Sequence, residues 1–221
     1  MMSMLAHTAA AILDWIVPRQ CVGCSATLED NPAWCRHCIE LLEPNLVSGV
    51  EDLSLCTPYR HAGPIRSAIH QLKYAGRSDY AEPLVAAGFG ARPALVGRRA
   101  VLVPVPLHSL RLVERGYNQS ALLAQALGRH WGLPVNSQML RRTFATAPQV
   151  GQSRERRAIN MVGAFAARPM QSDAEVWLVD DVVTTGATTA SCRRVLEAAG
   201  LHVRGVIALA HAELSDKIAG S

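Results

Sequence analysis

The segment Val176-Trp-Leu-Val-Asp-Asp-Val-Val-Thr-Thr-Gly-Ala-Thr188 joins an apolar run to two adjacent carboxylates and then to a Thr/Gly loop. A buried parallel strand reads as such a run, and its carboxyl end is where open α/β sheets place ligands. Asp180 and Asp181 suit sugar hydroxyls or a hydrated magnesium ion. The loop offers backbone N–H groups and hydroxyls to a phosphate, and the dipole of a following helix adds to the attraction. Two carboxylates at a strand end are costly unless they serve a ligand, and a helix cap accounts for one at most. These residue types in this order describe a phosphorylated sugar lying across a strand end.

A second constellation sits near the start of the chain. Cys21-x2-Cys24, ten intervening residues and Cys35-x2-Cys38 give two paired-cysteine knuckles. Each pair can direct two thiolates at one tetrahedral ion, which is the spacing of a zinc site. Four thiolates leave no open coordination position, so the expected zinc is structural. It would stabilise a segment too small to fold on apolar burial alone. His37 lies between two ligands as a bystander, and Cys56 and Cys192 read as free thiols.

Holding the strand end in place requires an alternating α/β framework. Ala100–Leu107 is an apolar run of strand length, and Pro104 should end it. Val176–Val179 and Val203–Ala210 are the next expected strands. Helices are expected over Pro64–Tyr74, about Tyr80–Ala91, Asn118–Trp131 and Thr188–Ala199, with Gly200 as the stop of the last. Strand and helix alternate, which argues for a right-handed parallel sheet. An amphipathic helix is expected over Met4–Val17. Between Arg141 and Arg157 the chain is basic and polar, compatible with a solvated loop or with a basic flap over an anion.

With 221 residues, 49% of them apolar and 18% charged, the chain can bury a good core. Residues 1–50 are read as an N-terminal helix and zinc module, and residues 51–221 as the α/β domain. The net charge of +4 fits an anionic ligand without demanding nucleic acid. No apolar run is long enough for a membrane span. The opening segment lacks the basic start and cleavage site of a signal peptide, so a cytoplasmic location is expected.

The strand, aspartate pair and Thr-Thr-Gly-Ala-Thr loop resemble the phosphoribosyl pyrophosphate (PRPP) motif of type I phosphoribosyltransferases. Within that superfamily the chain resembles the ComF family. The narrower match is carried by the four-cysteine module, Leu72-Lys-Tyr-Ala-Gly76, Val103-Pro-Val-Pro-Leu107 and Arg115-Gly-Tyr-Asn-Gln119. Gln149, Arg157, Asn160 and Gly163-Ala-Phe165 follow in order, before Asp180-Asp-Val-Val-Thr-Thr-Gly186. The ordered set spans about residues 15 to 211.

This resemblance implies a type I phosphoribosyltransferase-like parallel sheet flanked by helices. It implies that Asp180 and Asp181 bind the ribose hydroxyls while Thr184, Thr185, Gly186, Ala187 and Thr188 wrap the 5′-phosphate. The segment after Leu107, with Arg111, Arg115, Asn118 and Gln119, falls at the superfamily's pyrophosphate loop, which often holds a non-proline cis peptide. Arg142 to Arg157 falls at the flexible loop that closes over pyrophosphate, and Lys73 is implied as an anion contact. The implied reaction is magnesium-dependent transfer of phosphoribosyl to an acceptor such as a nucleobase, with release of pyrophosphate. Several purine-type members carry an acidic residue where this chain has Thr184, a poor general base, so no catalytic base is assigned. The family name implies a second reading, a non-catalytic PRPP-responsive protein that binds single-stranded DNA through the zinc module and nearby arginines.

Overall fold

A computed structural model describes residues 19–28, 33–50, 52–143, 164–168 and 173–212. The expected helix over Met4–Val17 lies outside these residues, as do Gln149, Arg157 and Asn160. In chain order the elements are α1 (Arg36–Glu40), β1 (Gly49–Val50), β2 (Leu53–Cys56), β3 (Tyr59–Arg60) and α2 (Gly63–Tyr74). A 3-10 turn at Ser78–Tyr80 leads into α3 (Ala81–Gly88), β4 (Ala100–Pro104), α4 (Ser109–Arg115) and α5 (Gln119–Trp131). The chain continues with β5 (Leu140–Arg142), β6 (Phe165–Ala167), β7 (Glu175–Val183), α6 (Ala187–Ala198) and β8 (His202–His211).

The main sheet runs β1-β2-β8-β7-β4, with β3 also pairing to β8. Every pair in it is parallel except the β1–β2 hairpin. β5 and β6 form a separate antiparallel ribbon. The chain is thus α/β, with a mostly parallel sheet flanked by helices. No described helix is long and apolar enough to cross a membrane.

The period-2 alternation of the central strands feeds two apolar layers. Trp177 and Val179 of β7, Leu102 of β4 and Ile207 of β8 face one layer, where Ile65, Ile69 and Leu72 of α2 pack with Leu84 of α3 and Leu123 of α5. Those three α2 residues recur at helical spacing and are essentially fully buried, each worth about 1.5–3 kcal/mol. Val176 and Leu178, Val103 and Val206 face the other layer, against Leu196 of α6 and Leu140 and Phe165 of the ribbon. Trp34 and Val22 of the cysteine segment belong to the first layer, so that segment shares the core of the α/β sheet.

Gly205 is where β8 passes under Trp177. A Cβ there would lie 2.5 Å from the Ser54 carbonyl oxygen and 2.5 Å from the indole ring. Only a residue without a side chain lets the strand and ring approach so closely.

Three expectations about the elements need correction. β7 does not end at Val179: it continues through both aspartates to Val183, because β8 keeps pairing with it as far as Val183↔His211. α3 ends at Gly88 rather than near Ala91. There Phe89 turns to extended backbone and packs edge-on against Trp131, with ring centroids 5.6 Å apart. The segment after Leu107 is not a loop throughout. Residues 109–115 form α4, whose start is capped by His108 Nδ1 accepting from the Leu110 N–H at 3.2 Å. β4 does stop at Pro104 as expected. α6 stops at Gly200, where Gly200 N–H bonds to Glu197 O and Leu201 N–H to Leu196 O.

Candidate functional site: a split carboxylate pair and an adjoining anion loop

The site begins where β4 leaves the sheet. The last β4–β7 partners are Pro104 and Val179, and Val105 N–H closes the pairing on Val179 O at 2.9 Å. Beyond that point β7 keeps β8 on one side, and its β4 side opens at Asp180. The Asn118 side chain donates to Val105 O at 3.0 Å and accepts from the Ser120 N–H at 3.0 Å. Asn118 therefore caps α5 and ties its first turn to the end of β4. This brings the Ser120 hydroxyl to Asp180, where it donates to Oδ1 at 2.9 Å.

Alternation sends the two neighbouring carboxylates to different partners. Asp181 points with Val179 toward α2 and is buried, and its Oδ1 lies 2.8 Å from Lys73 Nζ. Its Oδ2 is buried with no hydrogen-bond partner among the described residues. Asp180 is half-buried and accepts from Ser120 and from the Asp181 N–H, the latter at 2.9 Å. Burial, and then the Asp181 carboxylate beside it, push the Asp180 carboxyl up to about 7, against the pull of Lys73 and these hydrogen bonds.

The loop after β7 is built for a close turn. Gly186 has φ +77°, a left-handed conformation that glycine adopts without strain, and it stands as the N-cap of α6. Thr184 is exposed and Thr185 and Thr188 are half-buried. The Thr185 hydroxyl accepts from the Ala187 N–H at 3.4 Å, and Thr189 donates to Gly186 O at 2.7 Å. The remaining first-turn N–H groups and the helix dipole face the same loop.

The arginines divide. The Arg142 guanidinium lies 5.3 Å over the Phe165 ring; burial, and then the like charge of Arg111, hold it below the usual arginine range. Buried Cys192 of α6 feels the charges of both Asp180 and Arg142, after burial itself has raised its thiol. Arg115 instead donates to Gln119 Oε1 at 3.0 Å and lies 4.6 Å over the Tyr74 ring. Gln119 is buried. Arg157 lies outside the described residues. All described peptide bonds are trans.

Two contacts went unread in the sequence: Ser120 on Asp180, and the pairing of Lys73 with Asp181. Ser120 follows directly on Arg115-Gly-Tyr-Asn-Gln119, and an Asn cap two residues before a hydroxyl was its available signal. Lys73 and Asp181 lie far apart in the chain, and nothing local links them.

The four cysteines cluster within metal-binding distance of one another. The Sγ atoms of Cys21, Cys24, Cys35 and Cys38 all lie within 4.8 Å of one another. Tetrahedral zinc with Zn–S bonds of about 2.3 Å has S···S edges of about 3.8 Å, and Cys24 and Cys35 stand 3.7 Å apart. Burial works upward on the Cys21 thiol, but N–H groups of Cys35, Cys24 and Gly23 outweigh it and bring it down to about 7. Burial, and then the neighbouring thiols, raise Cys38. The donor set fits a structural zinc ion.

No family model matches the chain. It is 32% identical over 191 residues to the DNA utilization protein YhgH of Salmonella typhimurium, covering 80% of this chain and 83% of that protein. It is 36% identical over 114 residues to Competence protein F of Haemophilus influenzae, covering 50% of each chain. Competence protein ComFC of Bacillus subtilis is 33% identical over 99 residues, 43% of this chain and 38% of that one. With the four-cysteine centre, the parallel sheet and this similarity over most of its length, the chain belongs to the ComF family.

Proposed function

We propose that the chain binds PRPP, or another ribose 5-phosphate, at Asp180, Asp181 and the Thr184–Thr188 loop. The observation that carries this reading is the buried Asp181 carboxylate. One oxygen is held by Lys73 and the other has no partner among the described residues, near the end of the strand that leads into a helix N-terminus opened by a left-handed glycine. A buried carboxylate oxygen is costly until a donor or cation reaches it. Ribose hydroxyls would be accepted by the aspartates, and the 5′-phosphate by Thr185, Thr188 and the N–H groups of the loop.

The residues also suit loss of pyrophosphate. Arg111 and Arg142 supply a pair of cations whose mutual repulsion an anion would relieve. Lys73 adds a third positive group and can move from Asp181 to the departing oxygens. Magnesium, when bound with PRPP, would neutralise part of the developing negative charge. Thr184 is an exposed hydroxyl and a poor general base, so this position supplies no base to a nucleophilic acceptor. The reading is thus a magnesium-dependent phosphoribosyltransferase with an acceptor still to be identified.

Calorimetric titration with PRPP and magnesium tests the binding step, repeated on Asp180→Ala. Saturable heat from the wild type and its loss in the variant support the site. No wild-type heat, or equal binding by the variant, removes it. Release of pyrophosphate during an acceptor screen tests the transfer.

A second reading is favoured by the names of the relatives, DNA utilization protein and Competence protein. In it the PRPP site is a sensor, and the zinc segment with Arg19, Arg36, Arg60 and Arg66 meets single-stranded DNA. Affinity would then fall steeply with salt; a flat salt response excludes it.

A further inference from the structure

The last turn of α2 carries a cluster that the sugar-phosphate reading does not use. Tyr74, the final helical residue, is 56% exposed although it adjoins Lys73 of the Asp181 pair. The Arg115 guanidinium lies 4.6 Å from its ring centroid, and His70, one turn earlier, stands 4.9 Å away at an interplanar angle of 47°. Arg66, a further turn back, is exposed as well. The spacing 66, 70, 74 places basic, imidazole and phenol groups along one face of α2, over about 12 Å of helix.

The cluster is fixed rather than loose. Gln119, itself buried, holds the Arg115 guanidinium at 3.0 Å. The Tyr117 hydroxyl donates to Leu72 O at 2.6 Å and pins the approach to α5 against the end of α2. More than half of the Tyr74 side chain stays open to solvent despite these neighbours.

We propose that Tyr74, Arg115 and His70 form a stacking platform for an unpaired nucleobase, with Arg66 attracting the phosphate that accompanies it. Flat π surfaces and guanidinium planes receive unstacked bases whatever their sequence, and adjacent cations add affinity for the backbone. The proposal deepens the sugar-phosphate reading by naming the group received beside the sugar, while the platform's geometry stands independently of it. Two sources offer the same chemistry, a free base or nucleoside and a base carried in a single strand.

Fluorescence anisotropy of the full chain with a labelled oligothymidylate, and with an abasic strand of equal length and charge, tests the platform. A base stacked on an aromatic ring should make the oligothymidylate bind roughly five- to a hundredfold tighter than the abasic strand. Tyr74→Ala should remove that preference, and Tyr74→Phe should keep it. Displacement of the strand by adenosine assigns the platform to free bases or nucleosides. Its failure, with Tyr74 dependence intact, assigns it to bases in a strand, and either result supports the platform. Equal binding of the two strands, or a Tyr74→Ala protein that binds as the wild type, overturns it. PRPP titrated against the wild type separates the two readings: PRPP heat without preference for the base-bearing strand refutes the platform alone.

Discussion

Replacing Lys73 by methionine keeps most of the unbranched side chain and removes its charge from Asp181. The carboxylate is 5% exposed, and its Oδ1 lies 2.8 Å from the ammonium. Its other oxygen has no hydrogen-bond partner among the described residues. Removing one partner of a fully buried pair costs about 3–5 kcal/mol. Lys73 is 22% exposed, so water can partly replace the ammonium and screen the loss. The expected destabilisation is therefore about 2–3 kcal/mol. In urea this moves the midpoint down by about 1 M at the slope of a chain of this size. The assay is equilibrium unfolding followed by tryptophan fluorescence, with Asp181→Asn and the double variant beside it. The double variant should recover most of the loss, because a neutral amide needs no cation. A Lys73→Met protein within about 0.5 kcal/mol of the wild type, or a double variant no more stable than the single one, refutes the reasoning.

Gly205→Ala should destabilise by about 3 kcal/mol or more, since its Cβ meets a carbonyl oxygen and the Trp177 ring at 2.5 Å and neither is free to withdraw; thermal melting checks this. Cys24→Ser, or a strong chelator, should release zinc measured by atomic absorption and lower the whole melting transition, because Trp34 and Val22 share the core of the sheet. Asp180 is raised by burial and then by Asp181 from 3.8 to about 7, so between those values the folded state holds a proton that the unfolded chain has lost. Its contribution to stability is therefore complete below pH 3.8 and declines as pH rises toward 7. Asp180→Asn should match the wild type at the acid end and exceed it in melting temperature above pH 7, and parallel pH curves for the two proteins contradict this.

The strands of the sheet were legible where apolar runs are long and bounded. Ala100–Pro104 ended at its proline, and α6 ended at Gly200 through two backbone bonds that the sequence signal anticipates. The true length of β7 was not legible, because polar residues within a strand look like its end. Only pairing with β8 as far as His211 reveals otherwise. The cysteine spacing conveyed the four-cysteine cluster directly, since its members are close in the chain. By contrast, Lys73 meets Asp181 and Ser120 meets Asp180 through the packing of α2 and α5 on β7, which no local pattern encodes. Alternation along β7 sends Asp181 to α2 and leaves Asp180 with Ser120, a division that adjacency in the sequence does not display. Tyr74 looked like the end of an amphipathic helix, and its value lies in Arg115 arriving above it.

A crystal structure of the chain with PRPP and magnesium tests the central claim most directly. The expected result is ribose density against Asp180 and Asp181, with the 5′-phosphate inside Thr184–Thr188 and Lys73 drawn toward pyrophosphate. Ligand density elsewhere on the protein, with the Lys73–Asp181 pair intact and the loop empty, would contradict it.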